Sequence, residues 1–98
     1  MRGLIFGATT IRAYERLERL IQDYKDYWKI KPEKIRKNSN EYSVVFENGD
    51  VWQACGMHEG CRGRRANVVL IDEQVKCEYD AIAQHCATAL PYSAIRYY

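Results

Sequence analysis

Val68-Val69-Leu70-Ile71 runs directly into Asp72-Glu73, and this segment constrains the chain more than any other. Four branched apolar residues in a row have no polar face, so the run reads as a strand buried on both sides, as parallel strands are in helix-covered sheets. The adjacent carboxylates would then emerge at the C-terminal end of that strand, the edge where open α/β sheets take their ligands. Asp72 is a candidate ligand for Mg²⁺ there, and Glu73 a candidate base toward an attacking water. The competing structural reading is an ordinary strand end, with carboxylates meeting solvent or capping the next helix.

The rest of the chain supplies partners for such a strand. Leu4-Ile5-Phe6 lies between Gly3 and Gly7 as a short buried strand, and Thr9 or Thr10 can cap the helix that follows. Ile11, Tyr14, Leu17, Leu20, Ile21, Tyr24 and Trp28 recur at helical spacing with charged residues between them. Pro32 limits that helix to about five turns. Tyr42 to Glu47 alternates, Asn48-Gly49 offers positive φ at both turn positions, and Val51 to Ala54 resumes, which predicts a hairpin. Ile35 to Lys37 is a weaker strand candidate. Gly56 to Arg65 reads as a glycine-rich loop, Tyr79 to Leu90 as a second amphipathic helix stopped by Pro91, and Ser93 to Tyr98 as a final strand.

The expected fold is therefore α/β over residues 1–98 as a single domain: a small, mainly parallel sheet flanked by two helices, with an inserted antiparallel hairpin, in the order β-α-β-β-β-α-β. At 98 residues, one domain is the ceiling. With 47% hydrophobic and 29% charged residues, the composition is that of a globular chain. A formal net charge of +2 does not by itself call for nucleic acid. The charge is clustered, however: Arg12, Arg16 and Arg19 share a helix face, Lys29 to Lys37 is a basic segment, and Arg62, Arg64 and Arg65 precede the acidic pair. No apolar stretch approaches the ~20 residues of a membrane span, and the N-terminal stretch does not read as a signal peptide. A cytoplasmic protein with reduced Cys55, Cys61, Cys77 and Cys86 is expected.

A strand ending in GATT, an FENGD hairpin, the segment GCRGRRANVVLIDE and a helix closing with ALP occur here in order. In that order they resemble the ATPase domain of phage terminase large subunits, the motors that package viral DNA. The resemblance implies a partial P-loop NTPase core in which Asp72 and Glu73 form the Walker B pair. Asp72 would coordinate the Mg²⁺ of a bound ATP, and Glu73 would orient water toward the γ-phosphate. It also matches Arg64 and Arg65 to the loop before that strand, as contacts for phosphate or DNA, and Thr9 to a loop near the nucleotide. The chain departs from the family in having no G-x-x-x-x-G-K-[ST] loop to cradle the β- and γ-phosphates, and no nuclease domain. An ATP site would need another segment, so negligible hydrolysis by this chain alone is expected. The implied partners are the remaining terminase segments or another protein, and DNA. The implied setting is phage or prophage, within the host cytoplasm.

Other chemistries compete for the same residues. Cys55, His58 and Cys61 at C-x-x-H-x-x-C spacing suggest zinc, although this is not a common zinc spacing, and Cys86 falls on an apolar helix face. A Cys/His nucleophile lacks an identifiable orienting residue. A stand-alone interaction protein that docks on a partner or self-associates through open sheet edges is a second function class. A small nucleic-acid-binding module using the basic clusters is a third.

Overall fold

The computed structural model describes residues 1–39, 41–55, 66–75 and 94–98. They form an α/β fold in which one α-helix packs on a six-stranded mixed sheet. The strands are β1 (Arg2–Phe6), β2 (Pro32–Lys37), β3 (Tyr42–Phe46), β4 (Val51–Cys55), β5 (Val68–Ile71) and β6 (Ala94–Tyr97), and α1 spans Thr10–Asp23. Their order across the sheet is β2-β3-β4-β1-β5-β6. β4, β1, β5 and β6 run parallel to their neighbours within that set, while β2 and β3 extend the sheet antiparallel from β4. The expected five strands become six because Pro32–Lys37 pairs along β3, with a register shift between Pro32 and Lys34. The expected second helix lies outside the described residues, as does the Gly56–Arg65 loop.

Alternation along the strands sorts the core onto two faces. Ile5, Tyr42, Val44, Phe46, Trp52, Ala54 and Leu70 pack against Ala13, Leu17, Leu20 and Tyr24 of the helical segment. Leu4, Phe6, Val69 and Ile71 point to the other face, where Ala66 and Val75 join them. β1 and β5 thus have buried residues on both faces, as their apolar runs require. Tyr24 stacks on Phe46 with ring centroids 3.8 Å apart. Its hydroxyl donates to Asp50 Oδ2 (2.7 Å) and accepts from the buried Trp52 Nε1 (3.0 Å), so both aromatic polar groups are satisfied.

The helix departs from the predicted stripe at both ends. The buried positions Ala13, Leu17, Leu20 and Tyr24 step by four, three and four residues, and Ile11 falls off this face at 69% exposed. After Asp23 the backbone widens into a π turn over Tyr24–Trp28, which swings Trp28 outward (59% exposed), and Lys29 ends it in the left-handed region at φ 57°. The hairpin forms as expected, but its turn differs. Gly49 alone takes positive φ (92°), its amide bonding Phe46 O at 3.0 Å. Asn48 instead uses its side chain to accept from the Asp50 amide (3.0 Å). A turn of ordinary hand closed by one left-handed glycine needs no second positive φ.

Candidate functional site

β1 and β5 are adjacent and parallel, and the chain leaves their C-terminal ends in opposite directions along the sheet: from β1 through α1 toward β4, and from β5 toward β6. Such a reversal of strand order is where open α/β sheets form a ligand crevice. The acidic pair stands at this point.

The β1 end is shaped by a close approach. A side chain on Gly7 would meet the backbone nitrogen of Ala13 and the carbonyl oxygen of Thr9, so glycine lets the first turn of α1 sit against the strand. Thr9 caps α1, its hydroxyl accepting from the Arg12 amide at 3.2 Å. That geometry directs Arg12, in the first turn, across to β5. Asp72 is only 1% exposed, and both of its carboxylate oxygens accept hydrogen bonds. Oδ2 accepts from Arg12 Nε at 2.6 Å and from the Ala8 amide at 3.1 Å, while Oδ1 accepts from the Gln74 amide at 3.0 Å. The Asp72 amide donates to Phe6 O (2.9 Å), extending the β1–β5 ladder by one residue.

Burial pushes the Asp72 carboxyl up. The hydrogen bond from Arg12, those from the Gln74 and Ala8 amides, and the Arg12 charge outweigh burial and hold it below the ordinary carboxylate value. Arg12 is raised in turn, chiefly by its hydrogen bond to Asp72 and then by the carboxylate charge. A cation in the first turn of a helix opposes the macrodipole, and no acidic residue of α1's own first turn compensates. Asp72 supplies that charge from a neighbouring strand.

Glu73 has the opposite surroundings. It opens a short 3₁₀ turn, Glu73–Val75, with its side chain exposed and its amide donating to Tyr98 O (2.8 Å). Tyr98 closes the far side: its amide donates to Ile71 O (2.9 Å) and its hydroxyl to Phe6 O (2.9 Å). The Tyr98 hydroxyl is pushed up to about 12, mainly by burial and then by the Asp72 charge, with Arg12 and Arg16 pulling the other way.

Of the residues expected from sequence, Asp72, Glu73 and Thr9 therefore come together at one end of the sheet. Arg64 and Arg65 lie outside the described residues, as do His58, Cys61, Cys77, His85 and Cys86. Among the described residues, no group of three or more His, Cys, Asp or Glu is placed to hold a metal ion. The donor set around Asp72 does not suit Mg²⁺ in this arrangement, because Oδ2 already takes two donors and a guanidinium stands where a second cation would have to be. Sequence reasoning placed Arg12 only on a basic helix face and Tyr98 only in the C-terminal strand, and linked neither to Asp72. The signal for Arg12 was its place three residues after a capping threonine, which becomes informative only once β5 is known to lie beside β1.

The site thus lies at the strand reversal of an open α/β sheet, the place where sheets of that class take their ligands. Comparisons with protein-family models, with curated proteins and with solved structures each return no match for this chain. Among the described residues, no helix is long and apolar enough to cross a membrane.

Proposed function

We propose that this chain is the Walker B-bearing part of a DNA-packaging-type ATPase core, derived from or related to phage terminase large subunits, and that it does not hydrolyse ATP alone. The observation that carries this reading is the pairing of two adjacent carboxylates in opposite surroundings at the strand reversal, Asp72 buried and bonded to Arg12 and Glu73 exposed beside it. Adjacent residues at the end of a buried strand serve metal and water in such motors, and the resemblance assigns Asp72 to Mg²⁺ and Glu73 to water. In the arrangement described, Arg12 holds Asp72 instead, so the chain by itself is in a closed, non-catalytic state. Completion would require a phosphate-cradling segment and release of Asp72 from Arg12.

Mn²⁺ serves as a paramagnetic stand-in for Mg²⁺ in the test. Arg12→Gln removes the competing cation and should let Mn²⁺ broaden the amide resonances of residues 6–9 and 72–74, while the unaltered chain shows little effect and neither turns over ATP measurably. Steady hydrolysis by the unaltered chain would refute the closed state. Failure of Mn²⁺ to reach these residues in a folded Arg12→Gln protein would refute the assignment of Asp72.

The exposed edge strand β2, with Ile35 50% exposed, and the exposed Tyr27 and Trp28 favour a second reading, a docking protein on an ATPase-like scaffold. Recovery of a stable partner unrelated to packaging in a pull-down would favour it, and recovery of a terminase segment the first reading.

A further inference from the structure

Positions 12, 15, 16 and 19 of α1 fall on one face by helical spacing. Arg12, Glu15, Arg16 and Arg19 line one side of an open depression of about 190 Å³, and Tyr98 lines the other. The Arg16 guanidinium carbon lies over the Tyr98 ring, 5.6 Å from its centroid. That ring is itself fixed through its hydroxyl on Phe6 O. Arg16 is thus held in place by a cation–π contact on a tethered aromatic. Its Nη1 is buried yet has no hydrogen-bond partner among the described residues. A desolvated guanidinium N–H without an acceptor is costly, and folded proteins rarely leave one so.

The charge of the depression is also uneven. Asp72 balances Arg12 through Nε, and Glu15 offsets one of the remaining two arginines, which leaves an excess of one positive charge among these described side chains. An anion with several acceptor oxygens could be met there by guanidinium groups from more than one direction. A phosphoryl group has that geometry, and arginine forks match it.

We propose that Arg16 and Arg19, backed by Tyr98, form a binding subsite for the phosphoryl group of a small phosphorylated ligand. The subsite uses neither Glu73 nor a metal, so it stands independently of the ATPase reading. Arg12 is shared between its wall and Asp72 at the strand reversal.

The test uses pyrophosphate in the absence of divalent metal, followed by amide resonances. Saturable shifts are expected at residues 12–20 and 98. Arg16→Gln and Arg19→Gln should each weaken binding by roughly tenfold or more, the scale of one charge-assisted hydrogen bond. Glu15→Gln should strengthen it severalfold, and added salt should weaken it throughout. Arg19 is exposed, so its variant keeps the test decisive even where Arg16→Gln unfolds the protein. Absence of saturable binding, or equal affinity in the unaltered and Arg19→Gln proteins, would overturn the proposal. Preference for a single-stranded oligonucleotide with no pyrophosphate binding would overturn it too, in favour of a nucleic-acid backbone contact.

Discussion

Asp72 joins β1, the start of α1 and the turn after β5, and Asp72→Ala should show what that junction contributes. The substitution removes the acceptor for two backbone amides, Ala8 (3.1 Å) and Gln74 (3.0 Å), and for Arg12 Nε (2.6 Å). Each orphaned buried amide costs about 1–3 kcal/mol, and both sites are part-buried, so water relieves some of this. The Arg12 side chain is 43% exposed and can rehydrate, so it is left out of the sum. A loss of about 2–4 kcal/mol follows, which for a domain of this size lowers the melting temperature by roughly 10–20 °C. Urea unfolding followed by circular dichroism and tryptophan fluorescence measures it. The result also depends on pH. Because the Asp72 carboxyl is held below its ordinary value of 3.8, its contribution is complete above that value and is lost as pH falls through the lowered folded-state value. The stability difference between the unaltered protein and Asp72→Asn should therefore be constant near neutrality and close under strong acid. A loss under about 1 kcal/mol for Asp72→Ala with an unchanged m-value, or a gap that widens on acidification, would refute this account of Asp72 as a buried, ionised brace.

Two glycine substitutions should separate two kinds of cost. Gly49→Ala, at φ 92° with nothing near the added methyl, should lose about 1 kcal/mol from backbone strain alone, while Gly7→Ala should lose more because its methyl meets the α1 backbone. Equal losses in chemical denaturation would contradict that distinction. Tyr24→Phe strands the buried Trp52 Nε1 and should cost about 1–2 kcal/mol with a change in tryptophan emission, and an unaltered spectrum would speak against the contact. The Tyr24 and Tyr98 hydroxyls are pushed up to about 12, both chiefly by burial, so stability should be full below their ordinary range near 10 and fall as pH rises through 12. An alkaline transition unmoved by Tyr24→Phe would exclude Tyr24 from that effect.

The parts of the fold legible in the sequence were those set by short-range physics. β1, α1, the hairpin strands and β5 announce themselves through apolar periodicity, a capping threonine and Asn48-Gly49, because each signal acts within a few residues. β2 was faint because Pro32–Lys37 is an exposed edge strand with only Ile35 to hint at alternation, and the pairing that stabilises it comes from β3. Ile11 was misplaced on the core face because the buried stripe runs through Ala13, Leu17, Leu20 and Tyr24, and Trp28 because a π turn cannot be read from a 3.6-residue period. At the site, Asp72 and Glu73 were legible as a pair, but their divergence was not. What pairs with Asp72 is an arginine 60 residues away, and only strand order brings the two together.

The placement of β1 between β4 and β5 has a consequence for how the chain is made. β1 leaves the ribosome before both of its ladder neighbours, Val51–Cys55 and Val68–Ile71, so none of its lateral hydrogen bonds to strands can form until β4 has been synthesised. Until then Leu4, Ile5 and Phe6 are an apolar stretch without a sheet to join, while α1 and the β3–β4 hairpin can form from local contacts. Insertion of β1 between two later strands is therefore the step expected to set the folding rate. A pause in translation between Cys55 and Val68 would prolong the interval in which one side of that strand is paired and the other open.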